Sequence, residues 1–153
     1  MERKDFLRSL GGGAAFALTF SCLHGCSSDS VADPEVRPTP VGVDFELDLN
    51  AEGATELSKN GGFILARSRP GLKYTDVVVA RSLEGNFVAA SQICSHEQTD
   101  LVRFVPDVDG GIFACSAHGS EFDQTGTPIN NITKNPLKIF KTSLTGTILR
   151  VYE

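Results

Sequence analysis

Residues 94–126 read CSHEQTDLVRFVPDVDGGIFACSAHGSEFDQTG and contain two cysteine–histidine pairs. The first pair is Cys94 and His96, and the second is Cys115 and His118, with residues 97–114 between them. The chain has only 4 cysteines and 3 histidines, and the others all lie within the first 26 positions. Two such pairs would rarely arise by chance, so the four side chains form one candidate site for a metal or a redox group.

Three kinds of site are compatible with these four residues. A disulfide between Cys94 and Cys115 would suit an exported protein, but it would leave both histidines unexplained. A tetrahedral zinc site with two cysteines and two histidines is chemically sensible. A [2Fe–2S] centre can also use this set, with two thiolates on one iron and two imidazoles on the other. The ligand types alone do not separate zinc from iron–sulfur.

The residues around the four ligands resemble the two cluster-binding loops of the Rieske family. The spacing within 94–96 and within 115–118 matches the family, and so do the Gly, Ser, Phe-Asp and Thr-Gly positions of 119–126. The resemblance extends over residues 43–153. It implies one [2Fe–2S] cluster held by Cys94, His96, Cys115 and His118. It also implies that both cluster-binding loops lie at one tip of the domain, with both histidines exposed there.

Several positions near the ligands differ between Rieske subfamilies. Cytochrome bc-type members carry an extra cysteine in each loop, and these two cysteines form a disulfide; the equivalent residues here are Thr99 and Ala117. Phe122 replaces a tyrosine whose hydroxyl meets a cysteine sulfur, whereas Ser120 matches a serine that bonds a bridging sulfide. Glu97 adds a negative charge beside a histidine ligand. The resemblance therefore implies Ser120 and Phe122 as cluster-tuning residues. We expect a midpoint in the lower half of the Rieske range of about −150 to +300 mV.

The rest of the domain predicts short antiparallel strands. Residues 43-VDFELDL-49 alternate apolar and acidic side chains, which is typical of a half-buried strand. Segments rich in Val, Phe and Ile predict further strands at 62–66, 74–80, 86–91, 112–115, 137–142 and 147–152. Turn residues separate them at 84–86, 109–111 and 144–146. No helical period is sustained, so we expect a small antiparallel all-β domain over residues 43–153.

The first 25 residues predict a signal peptide. A basic start precedes a short apolar run at 10–20, which is too short to span a bilayer. The run ends in 23-LHGC-26, which resembles a bacterial lipobox and predicts lipidation of Cys26; the alternative is an ordinary signal peptide. The start, 3-RKDFLR-8, resembles a twin-arginine signal with lysine in place of the second arginine. Export by the general secretory pathway is the alternative route.

Residues 26–42 predict a lipid-anchored flexible tether. Pro34, Pro38 and Pro40 lie there among small and acidic residues, a composition that cannot form a core. We therefore expect an exported protein, anchored by its lipid to a bacterial membrane and facing the periplasm or the exterior.

Composition limits the partners and the chemistry. The net charge of −5 and the pI of about 5.2 argue against nucleic acid. Apart from the two loop histidines the chain has only His24, which lies in the predicted signal peptide. No histidine therefore remains for the mononuclear iron of a ring-hydroxylating oxygenase, and we expect no catalysis by this chain alone. Glu97, Asp100 and Asp123 could form an acid–base cluster, or could be solvated and turn-forming residues.

The expected function is electron transfer, as a membrane-anchored carrier or as the iron–sulfur subunit of an oxidoreductase complex. Its redox partner would be a cytochrome, an oxidase or an oxygenase component. The alternative function is that of a structural zinc-binding surface lipoprotein.

Overall fold

The computed structural model describes residues 35–107 and 109–153, and these are mostly strands and the turns between them. The predicted signal peptide, the predicted lipidation site at Cys26 and residues 26–34 of the predicted tether lie outside these ranges. One short 3₁₀ helix, Glu52–Ser58, occurs in the described residues. In the same part of the chain, no helix has the length and apolarity needed to cross a membrane. The strands there are β1 Asp44–Asp48, β2 Phe63–Ala66, β3 Val77–Arg81, β4 Phe87–Ser91, β5 Val102–Val105, β6 Ile112–Cys115, β7 Glu121–Phe122, β8 Ile139–Thr145 and β9 Ile148–Tyr152.

The strands pair antiparallel in two sheets. The larger sheet has the order β1-β9-β8-β4-β3-β2, and the smaller sheet has the order β5-β6-β7. Strand β1 illustrates how the sequence specifies the larger sheet. Phe45 and Leu47 pack against the core, while Asp44, Glu46 and Asp48, which alternate with them, are exposed. The prediction of a small antiparallel all-β domain is confirmed.

Strand β3 lies at the centre of the fold, because both of its faces are buried. Val77, Val78, Val79 and Ala80 are each 0% exposed. Val78 and Ala80 belong to a core shared with β5, β6 and both loop cysteines. Val77 and Val79 belong to a second core, shared with β8 and β9. A continuous apolar run of this kind is typical of a strand that is covered on both faces.

The structure also differs from the strand predictions. Strands β5 and β7 are absent from the predicted set, and β3 begins at Val77 rather than at residue 74. Strand β8 continues to Thr145, three residues beyond the predicted end, because its pairing with β9 extends to Ile148. The turn between these two strands is tight, and Gly146 adopts a φ of 61° there.

The turns and the candidate site lie at opposite ends of the strands. Strand β4 runs from the turn at Glu84–Gly85 toward residue 94, and β6 runs from the turn at 109–111 to Cys115. A hydrogen bond of 2.9 Å from the Leu83 N–H to the Gly110 carbonyl joins the two turns. Because β4 and β6 start together at that end, they deliver both cysteine–histidine segments to the other end.

Candidate metal centre

Two loops carry the four predicted ligands, and they share one backbone fold. We call residues 94–99 loop 1 and residues 115–120 loop 2. In each loop, the cysteine carbonyl accepts a hydrogen bond of 2.9 Å from the N–H four residues later, which is Gln98 or Gly119. In each loop, the cysteine N–H donates at 2.8 Å to the carbonyl five residues later, which is Thr99 or Ser120. The two loops are therefore structural equivalents, although their histidines occupy different positions within them.

Both loops turn through a left-handed residue at the same place. Gly119 has a φ of 73° and Gln98 has a φ of 55°. Glycine adopts this conformation without steric cost, whereas a side chain costs about 1–2 kcal/mol. Loop 1 therefore carries backbone strain that loop 2 avoids.

The small sheet brings the loops side by side. Cys115 is the last residue of β6 and pairs with Val102, the first residue of β5, directly after loop 1. The Ser116 N–H also donates to the Leu101 carbonyl at 3.2 Å. The two cysteines are free thiols, with exposures of 1% for Cys94 and 2% for Cys115. The structure therefore forms no disulfide between them.

The electrostatic environment favours a thiolate at Cys115. A hydrogen bond from the Cys94 thiol lowers the pKa of Cys115, and the Ala117 and His118 N–H groups and the Thr99 hydroxyl add to this effect against the opposing effect of burial. The hydrogen bond to Cys115, in which Cys94 is the donor, and burial both raise the pKa of Cys94. Since thiolates are the form that binds metals, these hydrogen bonds favour the metal-binding form of Cys115.

The histidines lie next to each other at the same end of the domain. Their rings are 5.3 Å apart between centroids, at an interplanar angle of 78°. The Nδ1 atom of His96 is buried and has no hydrogen-bond partner. The His118 side chain is 45% exposed, and its Nδ1 lies 3.4 Å from Oε2 of Glu97. Ligand atoms of His96, Glu97 and His118 all lie within 4.8 Å of one another.

Two buried hydroxyls complete the site. Thr99 Oγ1 of loop 1 lies 3.7 Å from Cys115 Sγ of loop 2. Ser120 is 0% exposed, and its hydroxyl lies beside the Cys94 thiol and lowers the pKa of that thiol. Buried hydroxyls and imidazole nitrogens are normally hydrogen-bonded. The site therefore fits a bound group that offers both an electrophile and acceptor atoms, since it has an unpaired His96 nitrogen, two free thiols and a buried Ser120 hydroxyl beside them. A [2Fe–2S] cluster, with its irons and sulfides, has both.

A third segment, which sequence reasoning missed, holds both loops. This bracing segment comprises residues 128–135. The Asn130 side chain donates to the Gly119 carbonyl of loop 2 at 2.7 Å. The Ser95 hydroxyl of loop 1 donates to the Asn135 carbonyl at 2.8 Å. Three asparagines within 130–135 are a signal that could have indicated side-chain hydrogen bonds to nearby backbone.

The three carboxylates considered as an acid–base cluster have separate contacts. Glu97 faces His118, whereas Asp100 lies 3.1 Å from the Arg37 guanidinium. Asp123 accepts hydrogen bonds from Thr125 and Thr127 in the turn after loop 2. Burial raises the pKa of Asp123, but these hydrogen bonds outweigh it and hold the pKa below its ordinary value. Asp123 therefore has a turn-forming role.

The other predicted tuning residue, Phe122, is a core side chain. It is 0% exposed and packs in the same cluster as Cys94 and Cys115. The structure thus brings together both loop cysteines, both loop histidines, Ser120 and Phe122 at one end of the domain. The ligand roles of the two cysteines and the two histidines stay predictions.

Comparison with known structures finds distant likenesses. A chain in the complex of reduced oxygenase and oxidized ferredoxin in carbazole 1,9a-dioxygenase is 24% identical, with 61% of this chain and 90% of that chain covered and a TM-score of 0.49. The ferredoxin of Sphingomonas yanoikuyae B1 is 20% identical, covering 64% and 93%, with a TM-score of 0.49. The cyanobacterial plasma membrane Rieske protein PetC3 from Synechocystis PCC 6803 is 24% identical, covering 74% and 100%, with a TM-score of 0.47.

Comparison with curated proteins gave no match. The sequence model of the Rieske [2Fe-2S] domain, in contrast, matches residues 62–141, just over half of the chain. This range contains loop 1, loop 2 and the bracing segment. On that match, the chain belongs to the Rieske [2Fe–2S] domain family, whose domain binds one [2Fe–2S] cluster.

Proposed function

We propose that Cys94 and Cys115 bind one iron of a [2Fe–2S] cluster and that His96 and His118 bind the other. Family membership supports Rieske-type electron transfer as the function. The observation that carries the ligand assignment is the pairing of two buried free thiols with the buried, unpartnered Nδ1 of His96. The equivalent folds of the two loops support it, because they present both cysteines to one point between them.

The cluster supplies one-electron chemistry, and two neutral imidazoles in place of thiolates make the added electron easier to hold. The protein controls the environment of that electron. The Ala117 and His118 N–H groups and the Thr99 hydroxyl favour negative charge on the Cys115 sulfur. Burial of both cysteines excludes water, while the partial exposure of His118 leaves one edge of the site open to a partner.

The bracing segment supports a docking role for this edge. Ile129 and Ile132 are 48% and 44% exposed, although they are large apolar side chains. They belong to the segment whose asparagines hold both loops. We propose that a redox partner contacts this edge, and that the partner is a cytochrome, an oxidase or an oxygenase component. The protein then acts as a carrier or as the iron–sulfur subunit of a complex, rather than as an enzyme by itself.

The cellular location is also a proposal. Residues 1–25 would act as a signal peptide, and Cys26 would carry the lipid. The expected outcome of Cys26→Ser is loss of the protein from membranes with retention of its cluster colour. Replacement of both Arg3 and Lys4 by Gln should stop export of the cluster-loaded protein, and unchanged export would refute the twin-arginine route.

Spectroscopy of the purified protein tests the central proposal. We expect a red-brown protein with a Rieske-type electron-spin signal after reduction, and one [2Fe–2S] cluster per chain. Cys115→Ser should abolish the colour, while Ser116→Ala, its neighbour in the same loop, should keep it. A colourless protein that contains stoichiometric zinc would refute electron transfer and favour the structural zinc alternative.

A further inference from the structure

The chain reaches the domain beside loop 1. We call residues 35–42 the N-terminal strap. The Arg37 N–H donates a hydrogen bond of 2.8 Å to the carbonyl of Gln98 in loop 1. The Arg37 guanidinium lies 3.1 Å from Oδ2 of Asp100 and 4.0 Å from the ring centroid of Tyr74. The Arg37 side chain is only 19% exposed, so the contact is embedded in the domain surface.

The rest of the strap also has a fixed path. Pro38 and Pro40 restrict its backbone to extended conformations. Pro40 is buried, and the Gly42 N–H donates to the Glu153 carboxylate at 2.6 Å. The Lys138 ammonium lies 2.7 Å from the same carboxylate and holds it in place. Although the composition predicts a tether here, residues 37–42 are docked on the domain.

The strand register agrees with an entry of the chain at the end of the domain that carries loops 1 and 2, which we call the cluster end. Strand β1 begins at Asp44, which pairs with Tyr152 of β9, and Tyr152 pairs with Lys141 of β8. Two residues before Lys141, Ile139 pairs with Ala90, near the end of β4 that leads into loop 1. The Glu84–Gly85 turn lies beyond the other end of β4, about 17 Å away for five strand residues.

From this placement we infer that the cluster end of the domain faces the membrane and that its partner is a membrane-bound redox protein with its own centre near the bilayer surface. The inference rests on the proposed lipid at Cys26. Eleven residue steps (37 minus 26) separate that cysteine from Arg37, which limits their separation to about 40 Å. Without the strap, the free chain would extend to Val43, and seventeen steps would allow about 60 Å.

Charge favours a protein over the lipid surface itself as the occupant of this edge. The chain has a net charge of −5, and the exposed Glu97 carboxylate lies beside His118. An anionic bilayer attracts basic segments and repels such a surface. The exposed Ile129 and Ile132 instead match an apolar protein patch. The strap therefore limits the distance between loop 1 and the lipid to about 40 Å, while the negative charge favours a protein over the anionic bilayer as the contact.

Energy transfer on vesicles tests this orientation. The full lipidated holoprotein is bound to vesicles of phosphatidylethanolamine and phosphatidylglycerol with a trace of rhodamine-labelled lipid. A donor dye is attached at Asn131→Cys in the bracing segment or at Glu84→Cys in the far turn, two exposed positions. Each signal is compared with that on vesicles lacking rhodamine, which cancels quenching by the cluster. We expect stronger transfer from position 131 than from position 84.

Strap variants provide the decisive comparison. Arg37→Gln removes the ion pair and the ring contact, and Tyr74→Leu removes the ring contact alone. Both variants are checked for cluster absorbance, and both should reduce the difference between the two dye positions. Equal or stronger transfer from position 84 in the parent protein would overturn the inference, as would an unchanged difference in Arg37→Gln. Failure of the protein to float with vesicles would refute the lipid anchor, and the inference with it; flotation is measured first, so the two failures are distinguishable.

Discussion

Replacing Thr99 with valine isolates a hydrogen bond that the two loops form across the site. Thr99 Oγ1 lies 3.7 Å from Cys115 Sγ, and the side chain is 2% exposed. A cysteine that binds iron is a thiolate and has no proton to donate, so the threonine hydroxyl must be the donor. Valine has nearly the same shape and lacks the hydroxyl. We expect Thr99→Val to lower the midpoint potential, because the bond favours the more negative reduced state.

The size of the shift follows from general magnitudes. A hydrogen bond to a charged group contributes about 1.5–3 kcal/mol, and the long separation favours the lower end. The potential responds only to the part of this energy that differs between the redox states, for which we take ~1 kcal/mol. A tenfold change in an equilibrium constant corresponds to about 1.36 kcal/mol. For one electron it corresponds to about 59 mV. Thr99→Val should therefore lower the midpoint by ~40 mV.

Protein-film voltammetry measures this shift directly. Thr99→Ser is the matched control, since it keeps the hydroxyl and should stay closer to the parent potential. Thermal unfolding of both variants checks that the domain is intact. A midpoint for Thr99→Val equal to or above that of the parent, with the cluster fully loaded, would refute the proposed donor role.

Three further expectations concern the same end of the domain. Gly119→Ala should lower the free energy of unfolding by about 1–2 kcal/mol through backbone strain alone, because a Cβ there meets no atom within 4 Å. Gln98→Gly should cause no such loss. Urea titration of both variants tests the difference. Voltammetry should find a lower midpoint in Ser120→Ala and a higher one in Phe122→Tyr, and opposite signs would contradict the tuning roles. Asp123→Asn should destabilise the domain at pH values above the ordinary carboxyl pKa of 3.8. The difference in the free energy of unfolding between parent and variant should shrink as the pH falls below that value, because folding lowers the pKa of Asp123. Urea titrations at several pH values test this trend.

The β fold could be predicted because its signals are local. Alternation in β1, the buried run of β3 and the glycine turns each occur within a few residues. Strand β5 carries a comparable signal, Val-Arg-Phe-Val, but it is absent from the predicted set, and the segment lies between a ligand loop and a proline. Strand β7 has only two residues and depends on its pairing with β6.

The candidate site could be predicted only in part. Cysteine and histidine are rare in this chain, and their spacing is visible in the sequence. The partner of the Thr99 hydroxyl is not visible, since Cys115 lies sixteen residues away and faces it only after β5 and β6 pair. The strap is harder still to predict. Its composition is that of a linker, and its docking depends chiefly on one arginine that contacts residues far along the chain.

Because the two loops have equivalent folds, residues of loop 1 face loop 2 across the site and can affect its redox properties. Residues at equivalent positions lie near each other across it: the Cys94 thiol lowers the pKa of Cys115, and Glu97 lies 3.4 Å from Nδ1 of His118. If the proposed cluster is bound there, loop 1 would supply two opposing influences, a carboxylate that disfavours the added electron and the Thr99 hydroxyl that favours it. Between these two residues lies Gln98, the strained residue whose carbonyl accepts the strap's hydrogen bond. The strap therefore contacts the same loop that we expect to tune the midpoint potential.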